Sequence, residues 1–110
     1  MSERRQHERY ELLARVELRH SGQAETLVTI NISAGGLLLR NDHDVAVEIG
    51  DTLRIVLDAP ELAPAFAIDA KVVRVIAATG KPGLIAAMWT SSDAAAIESL
   101  GQILWNLRNS

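Results

Sequence analysis

The stretch Thr29-Ile30-Asn31-Ile32-Ser33-Ala34-Gly35-Gly36-Leu37-Leu38-Leu39 decides how the rest of this chain is read. Two apolar runs flank a small polar turn. Asn31 and Ser33 are two apart, so on an extended strand their side chains share one face, with Ile30 and Ile32 on the other. Ala34-Gly35-Gly36 follows, where the missing Cβ permits positive φ and a close approach of ligand to backbone. An amide, a hydroxyl and open backbone N–H groups would then line one concavity, a site suited to a polar planar group. The same residues also suit a plain hairpin turn, so the stretch by itself leaves both readings open.

Upstream, Leu12 to His20 alternates as a first strand, with Leu12, Ala14, Val16 and Leu18 facing in; Ser21-Gly22-Gln23 turns the chain. Thr26 to Ile32 is the second strand and Leu37 to Arg40 the third. Asn41-Asp42-His43-Asp44 is a solvated loop, and Val45 to Ile49 is apolar without a clear period. Leu53 to Leu57 is a strand with Leu53, Ile55 and Leu57 inward. Asp58 to Ala65, carrying Pro60 and Pro64, is a loop. Phe66 to Ala77 is the longest strand, and Leu84 to Trp89 the last, after a turn at residues 78–83. Six strands on short turns predict a mainly β domain, a six-stranded antiparallel barrel.

The remaining segment changes period. Ser91 or Ser92 is placed to cap a helix over residues 93–108, with Asp93 favourable near its N-terminus. Ile97, Leu100, Ile103, Leu104 and Leu107 form its apolar stripe. Trp105 lies off the centre of that stripe and is expected to plug the barrel's rim rather than face a partner. The reading is one domain over residues 1–110: a flexible arm at 1–10, the barrel at 11–90 and the C-terminal helix at 91–108.

Nearly half of the 110 residues are apolar and under a quarter charged, a globular composition with one modest core. There is no cysteine, which removes disulfides and thiolate chemistry. No apolar run reaches membrane-spanning length and the Arg-rich N-terminus lacks an apolar leader core, so a cytoplasmic location without membrane insertion is expected. His7, His20 and His43 lack metal-ligand spacing, and no nucleophile, phosphate-loop or paired acid–base motif is present, so neither a metal nor an enzymatic activity is expected. A net charge of −3 and only four aromatic residues argue against nucleic acid as the partner.

Charge is nonetheless unevenly placed. Residues 1–20 hold five arginines against four glutamates, whereas the rest holds six basic and ten acidic residues. Arg5 and Arg9 are four apart, with Arg4 directly before them. Each is arginine and not lysine, and a guanidinium offers a planar fork that fits phosphate or the O6/N7 edge of guanine. A solvated charged tail is the alternative for this arm taken alone.

Together, Arg5-Gln6-His7-Glu8-Arg9 as RxxxR and Asn31-Ile32-Ser33-Ala34-Gly35-Gly36 as [D/N]xSxxG resemble the PilZ domain, a bacterial receptor for cyclic di-GMP. Gly50-Asp51-Thr52-Leu53, Ala70 to Val75 and the C-terminal helix are similar to later parts of that family. The resemblance implies a non-enzymatic cyclic di-GMP receptor whose ligand lies on the outer barrel surface under the arm. It assigns Arg5 and Arg9 to phosphates and guanine edges, and Asn31 and Ser33 to a guanine's polar edge. Gly35 and Gly36 leave room for the base, and Arg4 favours an intercalated pair of ligands over a single one. The signal would pass to an unidentified protein partner, and oligomeric state is left open. One departure is Ala86-Ala87-Met88-Trp89, where many relatives carry a Gly-Val-x-Phe-like end; Ala86 is expected to crowd a base. The rival reading is a PilZ-like interaction module without nucleotide.

Overall fold

A computed structural model of the chain describes residues 8–77 and 83–109. In chain order the elements are β1 (Tyr10–Glu11), β2 (Arg15–His20), β3 (Gln23–Ile32), β4 (Gly36–Asn41), β5 (Thr52–Asp58), β6 (Phe66–Ile76), β7 (Gly83–Trp89) and α1 (Ala94–Arg108). The pairing runs β3-β2-β5-β6-β7-β4 and returns to β3, every pair antiparallel, so the sheet closes into a six-stranded barrel with no free edge.

Alternation explains the core. Val16 and Leu18, Leu53, Ile55 and Leu57, Ile68 and Val72, Leu39 and Ile85 are each no more than 1% exposed. Full burial of each such side chain is worth about 1.5–3 kcal/mol. The β2–β3 connection is a two-residue turn in which Ser21 and Gly22 both take positive φ, at 53° and 78°. That backbone hand matches the strand twist, which is why Gly22 is needed there.

The predicted first strand is instead interrupted. Tyr10 and Glu11 pair with Ile32 and Asn31, on the same side of β3 that β2 occupies further along, and the chain leaves the ladder between them. Thr29, fully buried, occupies the gap: its Oγ1 accepts from the Ala14 N–H at 2.9 Å and donates to the Leu12 carbonyl. One hydroxyl thus satisfies two backbone groups that a continuous strand would have paired. A consequence is that the arm ends before Tyr10, which pairs with Ile32 and packs against the core.

Alternation also breaks within β3. Val28 pairs with Arg40 and Thr29 with Leu39, but Asn31 with Leu38, so Ile30 is an extra residue with no partner in β4. This bulge separates Ile30 from Ile32: Ile32 is fully buried, whereas Ile30 is only partly so. The expectation that both isoleucines share one face is corrected accordingly. The Val45–Ile49 segment forms no strand; the Asn41 amide holds its start, donating to the Val45 carbonyl at 3.1 Å and accepting from the Val45 N–H at 2.8 Å.

Helix α1 is capped by Asp93, whose carboxylate accepts from the Ala95 N–H at 3.1 Å, rather than by either serine. Ser91 supports the cap by accepting from the Asp93 N–H at 3.2 Å. Ala96, Leu100 and Ile103 are buried, and the Asn106 amide donates to the Leu62 carbonyl at 2.6 Å. Ile97 and Trp105 are 49% and 63% exposed. The stripe therefore reaches the barrel through a narrower face than periodicity suggested, and Trp105 does not plug the rim.

Candidate ligand site

The two bulges of the barrel flank one outer concavity. On β3 the extra Ile30 sets Asn31 and Ser33 on a common outward face. On β6 Val72 pairs with Ala87 and Arg74 with Ala86, so Val73 is the extra residue; it is 44% exposed. Bulges re-aim side chains beside binding sites, and both do so here. Asn31, Ser33, Val73, Ala86, Met88 and Arg9 line a cavity of about 320 Å³ whose floor is Gly35, Gly36, Leu37 and Ala87. That volume is at the small end for ligand pockets and suits one ring system with its substituents.

The loop at its floor is held internally. The Ser33 Oγ accepts from the N–H groups of Gly35 and Gly36 at 3.1 and 3.2 Å and lies 3.4 Å from the Gly36 carbonyl. The Ser33 N–H donates to that same carbonyl at 2.8 Å. The backbone donors expected to be open for a ligand are therefore engaged by the serine beside them. From the end of the adjacent strand β7, the Trp89 indole Nε1–H donates to the Ser33 carbonyl at 3.0 Å and the Trp89 backbone N–H to the Gly35 carbonyl at 3.0 Å. Trp89 is partly buried against the core and clamps the loop.

Gly36 also has a different reason from the one expected. Among the described residues, the glycines in the left-handed region are Gly22 and Gly50, with φ of 78° and 98°. A Cβ on Gly36 would stand 2.1 Å from the Ala87 carbonyl oxygen and 3.0 Å from the Met88 Cα. What comes close to Gly36 is the neighbouring strand β7, at the seam that closes the barrel.

Arg9 carries the only charge among the cavity's described lining residues. It is exposed, one residue before β1, and so is placed at the mouth. Its neighbours Glu8 and Tyr10 line a different groove, toward α1. The Tyr10 hydroxyl lies 3.3 Å from a Glu8 carboxylate oxygen. Desolvation, followed by that carboxylate, pushes the phenol above its usual range, so it remains a protonated donor. Arg4 and Arg5 lie outside the described residues. Of the residues the motifs singled out, the structure brings Arg9, Asn31, Ser33, Gly35 and Gly36 together. Val73 and Met88 were not foreseen, because neither strand register nor the β6 bulge is visible in a single sequence. Ala86, flagged as a departure, does line the cavity.

The arrangement offers a guanidinium at the mouth, an amide on one wall and short apolar side chains on the other. It can grip a flat heterocycle by its faces while a charged fork meets phosphate or a purine edge. An antiparallel barrel with an outer pocket served by an N-terminal basic residue defines the class. The PilZ domain model matches residues 3–104, and the chain belongs to the PilZ domain family.

Solved structures agree on the fold. The MrkH–c-di-GMP complex of K. pneumonia superposes with a TM-score of 0.85 at 22% identity, over 98% of this chain and 54% of that one. The PilZ domain of Escherichia coli YcgR with c-di-GMP gives 0.80 at 12% identity, over 97% and 93%. The Bacillus subtilis inhibitor of motility gives 0.76 at 20%, over 99% and 54%. The chain thus spans about half the length of MrkH and of the inhibitor of motility. No curated protein matches the sequence.

Proposed function

We propose that this chain is a non-enzymatic, cytoplasmic receptor for cyclic di-GMP that binds the dinucleotide in the outer cavity and passes the signal to a protein partner. One observation carries the reading: Arg9, Asn31, Ser33, Gly35 and Gly36, distant in sequence, meet at a single cavity. Membership of the PilZ family supports it, as do the MrkH and YcgR neighbours whose structures contain c-di-GMP. Among the described residues no helix is long and apolar enough to cross a membrane.

In this reading Arg9, with Arg5, meets phosphate and the guanine O6/N7 edge, and Asn31 takes the guanine's polar edge. Ser33 keeps the loop in the shape that presents Asn31. Arg4 adds a third guanidinium, and the ligand binds as an intercalated pair. Charge-assisted hydrogen bonds are worth about 1.5–3 kcal/mol each, while ordering each arm residue costs about 1–2 kcal/mol, so affinity falls on the order of micromolar. The arm held over its ligand is the changed surface that a partner reads.

Isothermal calorimetry tests this, with GMP and cyclic di-AMP as controls. Saturable heat with cyclic di-GMP alone, at two ligands per chain, is expected; a ratio of one refutes the role given to Arg4. Absence of both heat and thermal shift at high ligand refutes the receptor and leaves an interaction module, for which Ala86 in the cavity wall is the structural argument.

A further inference from the structure

The exposed side of α1 carries an apolar strip beside its polar residues, and this strip borders the groove between the helix and β1. Ile97, Gly101 and Trp105 recur at four-residue intervals and so share a face. All three are exposed, Ile97 by 49% and Trp105 by 63%. Gly101 stands at the centre of this face, in mid-helix, where glycine is the poorest helix former after proline. Among the described residues nothing accounts for it: its conformation needs no positive φ, and a Cβ there would meet none of their atoms outside the helix's own backbone and its chain neighbours within 4 Å. A glycine with open space in front, flanked by two large apolar side chains, fits the close approach of a second backbone.

We propose that this face is a homodimer interface, and that its occupant is the same helix of a second copy of this chain, packed antiparallel about Gly101. The pattern is self-complementary under a two-fold axis, as an isologous contact requires. Antiparallel pairing centred on Gly101 sets Ile97 of each copy against Trp105 of the other, so both large apolar groups are covered at once. Charge agrees with the same orientation and opposes the parallel one. The acidic residues Asp93 and Glu98 lie at the N-terminal end of the helix and Arg108 at the C-terminal end. Antiparallel packing places each copy's Arg108 beside the other's acidic end; parallel packing stacks like on like. The groove of about 350 Å³, lined on the helix side by Gly101, Leu104, Trp105 and Arg108 and on the facing side by Glu8, Tyr10 and Ala34, gives the second helix a seat next to the first.

The helix is 15 residues, or about 22 Å long, and cannot by itself supply the roughly 800 Å² per partner of a standard interface. The dimer is accordingly a weak one, forming as concentration rises through the micromolar range. The groove shares no lining residue with the ligand cavity, but Glu8, Tyr10 and Ala34 adjoin Arg9, Ser33 and Gly35, so the dimer is tested on ligand-free protein, where it does not depend on the proposed receptor role.

The chain has no cysteine, which makes the geometry directly testable. With Gly101→Cys, two thiols meet at the two-fold axis, and mild oxidation of the full chain should give a disulfide-linked dimer. Gln102→Cys, one residue on and turned about 100° around the helix, should link far less. Sedimentation velocity of the wild-type chain should show a monomer–dimer equilibrium, and Trp105→Ala should weaken it by tenfold or more without lowering the melting temperature of the monomer. A wild-type chain that stays monomeric to millimolar concentration overturns the proposal. Cross-linking of Gln102→Cys as efficient as that of Gly101→Cys overturns the antiparallel register, and a dimer insensitive to Trp105→Ala overturns the face.

Discussion

Gly36→Ala isolates what closes the barrel. The added Cβ would lie 2.1 Å from the Ala87 carbonyl oxygen, where ordinary contact starts at 3.4 Å, and the obstacle is backbone on a paired strand. Strands β4 and β7 must therefore part by more than 1 Å at this end. The hydrogen bonds from Trp89 to the Gly35 and Ser33 carbonyls, each 3.0 Å, lie at the same seam and are lost or stretched. Overpacking of this kind costs about 1–3 kcal/mol and two hydrogen bonds about 1 kcal/mol each. The lower chain entropy of alanine in the unfolded state returns about 0.4–1 kcal/mol. A net loss of about 2–4 kcal/mol follows, or a fall in Tm of about 10–15 °C for a domain of this size. Urea and thermal unfolding followed by far-ultraviolet circular dichroism measure it. A Tm within about 3 °C of wild type would refute the claim that strand closure, and not ligand access, keeps position 36 as glycine. Gly101→Ala is the matched control, since space is open there and the helix interior favours alanine by about 1 kcal/mol; in dilute solution it should raise Tm.

Other substitutions separate binding from scaffolding. Arg9→Ala should weaken cyclic di-GMP binding by about ten- to a hundredfold with Tm unchanged, because the side chain is exposed at the cavity mouth; equal affinity in calorimetry would remove Arg9 from the site. Ser33→Ala strips the acceptor from two backbone N–H groups and should cost about 1–2 kcal/mol of stability, with affinity falling as a consequence. If affinity collapses while urea unfolding is unmoved, the hydroxyl contacts the ligand itself. Thr29→Val keeps the shape but leaves the Ala14 N–H and Leu12 carbonyl unpaired in a buried gap, so unfolding should come about 2–4 kcal/mol earlier, and Thr29→Ser should recover most of that.

Much of this fold was legible because its core obeys period two. Leu12 to Leu18 and Leu53 to Leu57 show their buried faces in the sequence itself, and both are found as read. The two bulges were not legible, since an extra residue looks like any other until its partner strand is known. Ile30 was accordingly assigned the wrong face, and Val73 was overlooked. The interruption at residues 12–14 escaped notice for a related reason: Thr29 reads as a β-branched strand residue, and only its burial against Leu12 and Ala14 shows that its hydroxyl substitutes for a ladder. At the site, motif spacing located the residues but not their division of labour. Ser33 and Gly36 belong to the loop and the seam, whereas Asn31 and Arg9 line the wall and mouth where a ligand can reach them. Periodicity placed α1 but misjudged its outer side, because Ile97 and Trp105 look like core in any apolar count.

The bond from the Trp89 indole to the Ser33 carbonyl gives the protein an optical reporter of its own. Indole emission follows the polarity and hydrogen bonding around its ring, and this ring is tied to the loop that shapes the cavity. The second indole, Trp105, is mostly exposed on the helix, beside the groove that Glu8 and Tyr10 line. Replacing Trp105 with phenylalanine leaves one emitter, fixed to the loop, so cavity occupancy becomes a wavelength shift read from unlabelled protein. The reciprocal change at Trp89 leaves an emitter on the helix groove alone. Events on the two sides of one short loop can then be followed separately, in the same cuvette, by light the chain already emits.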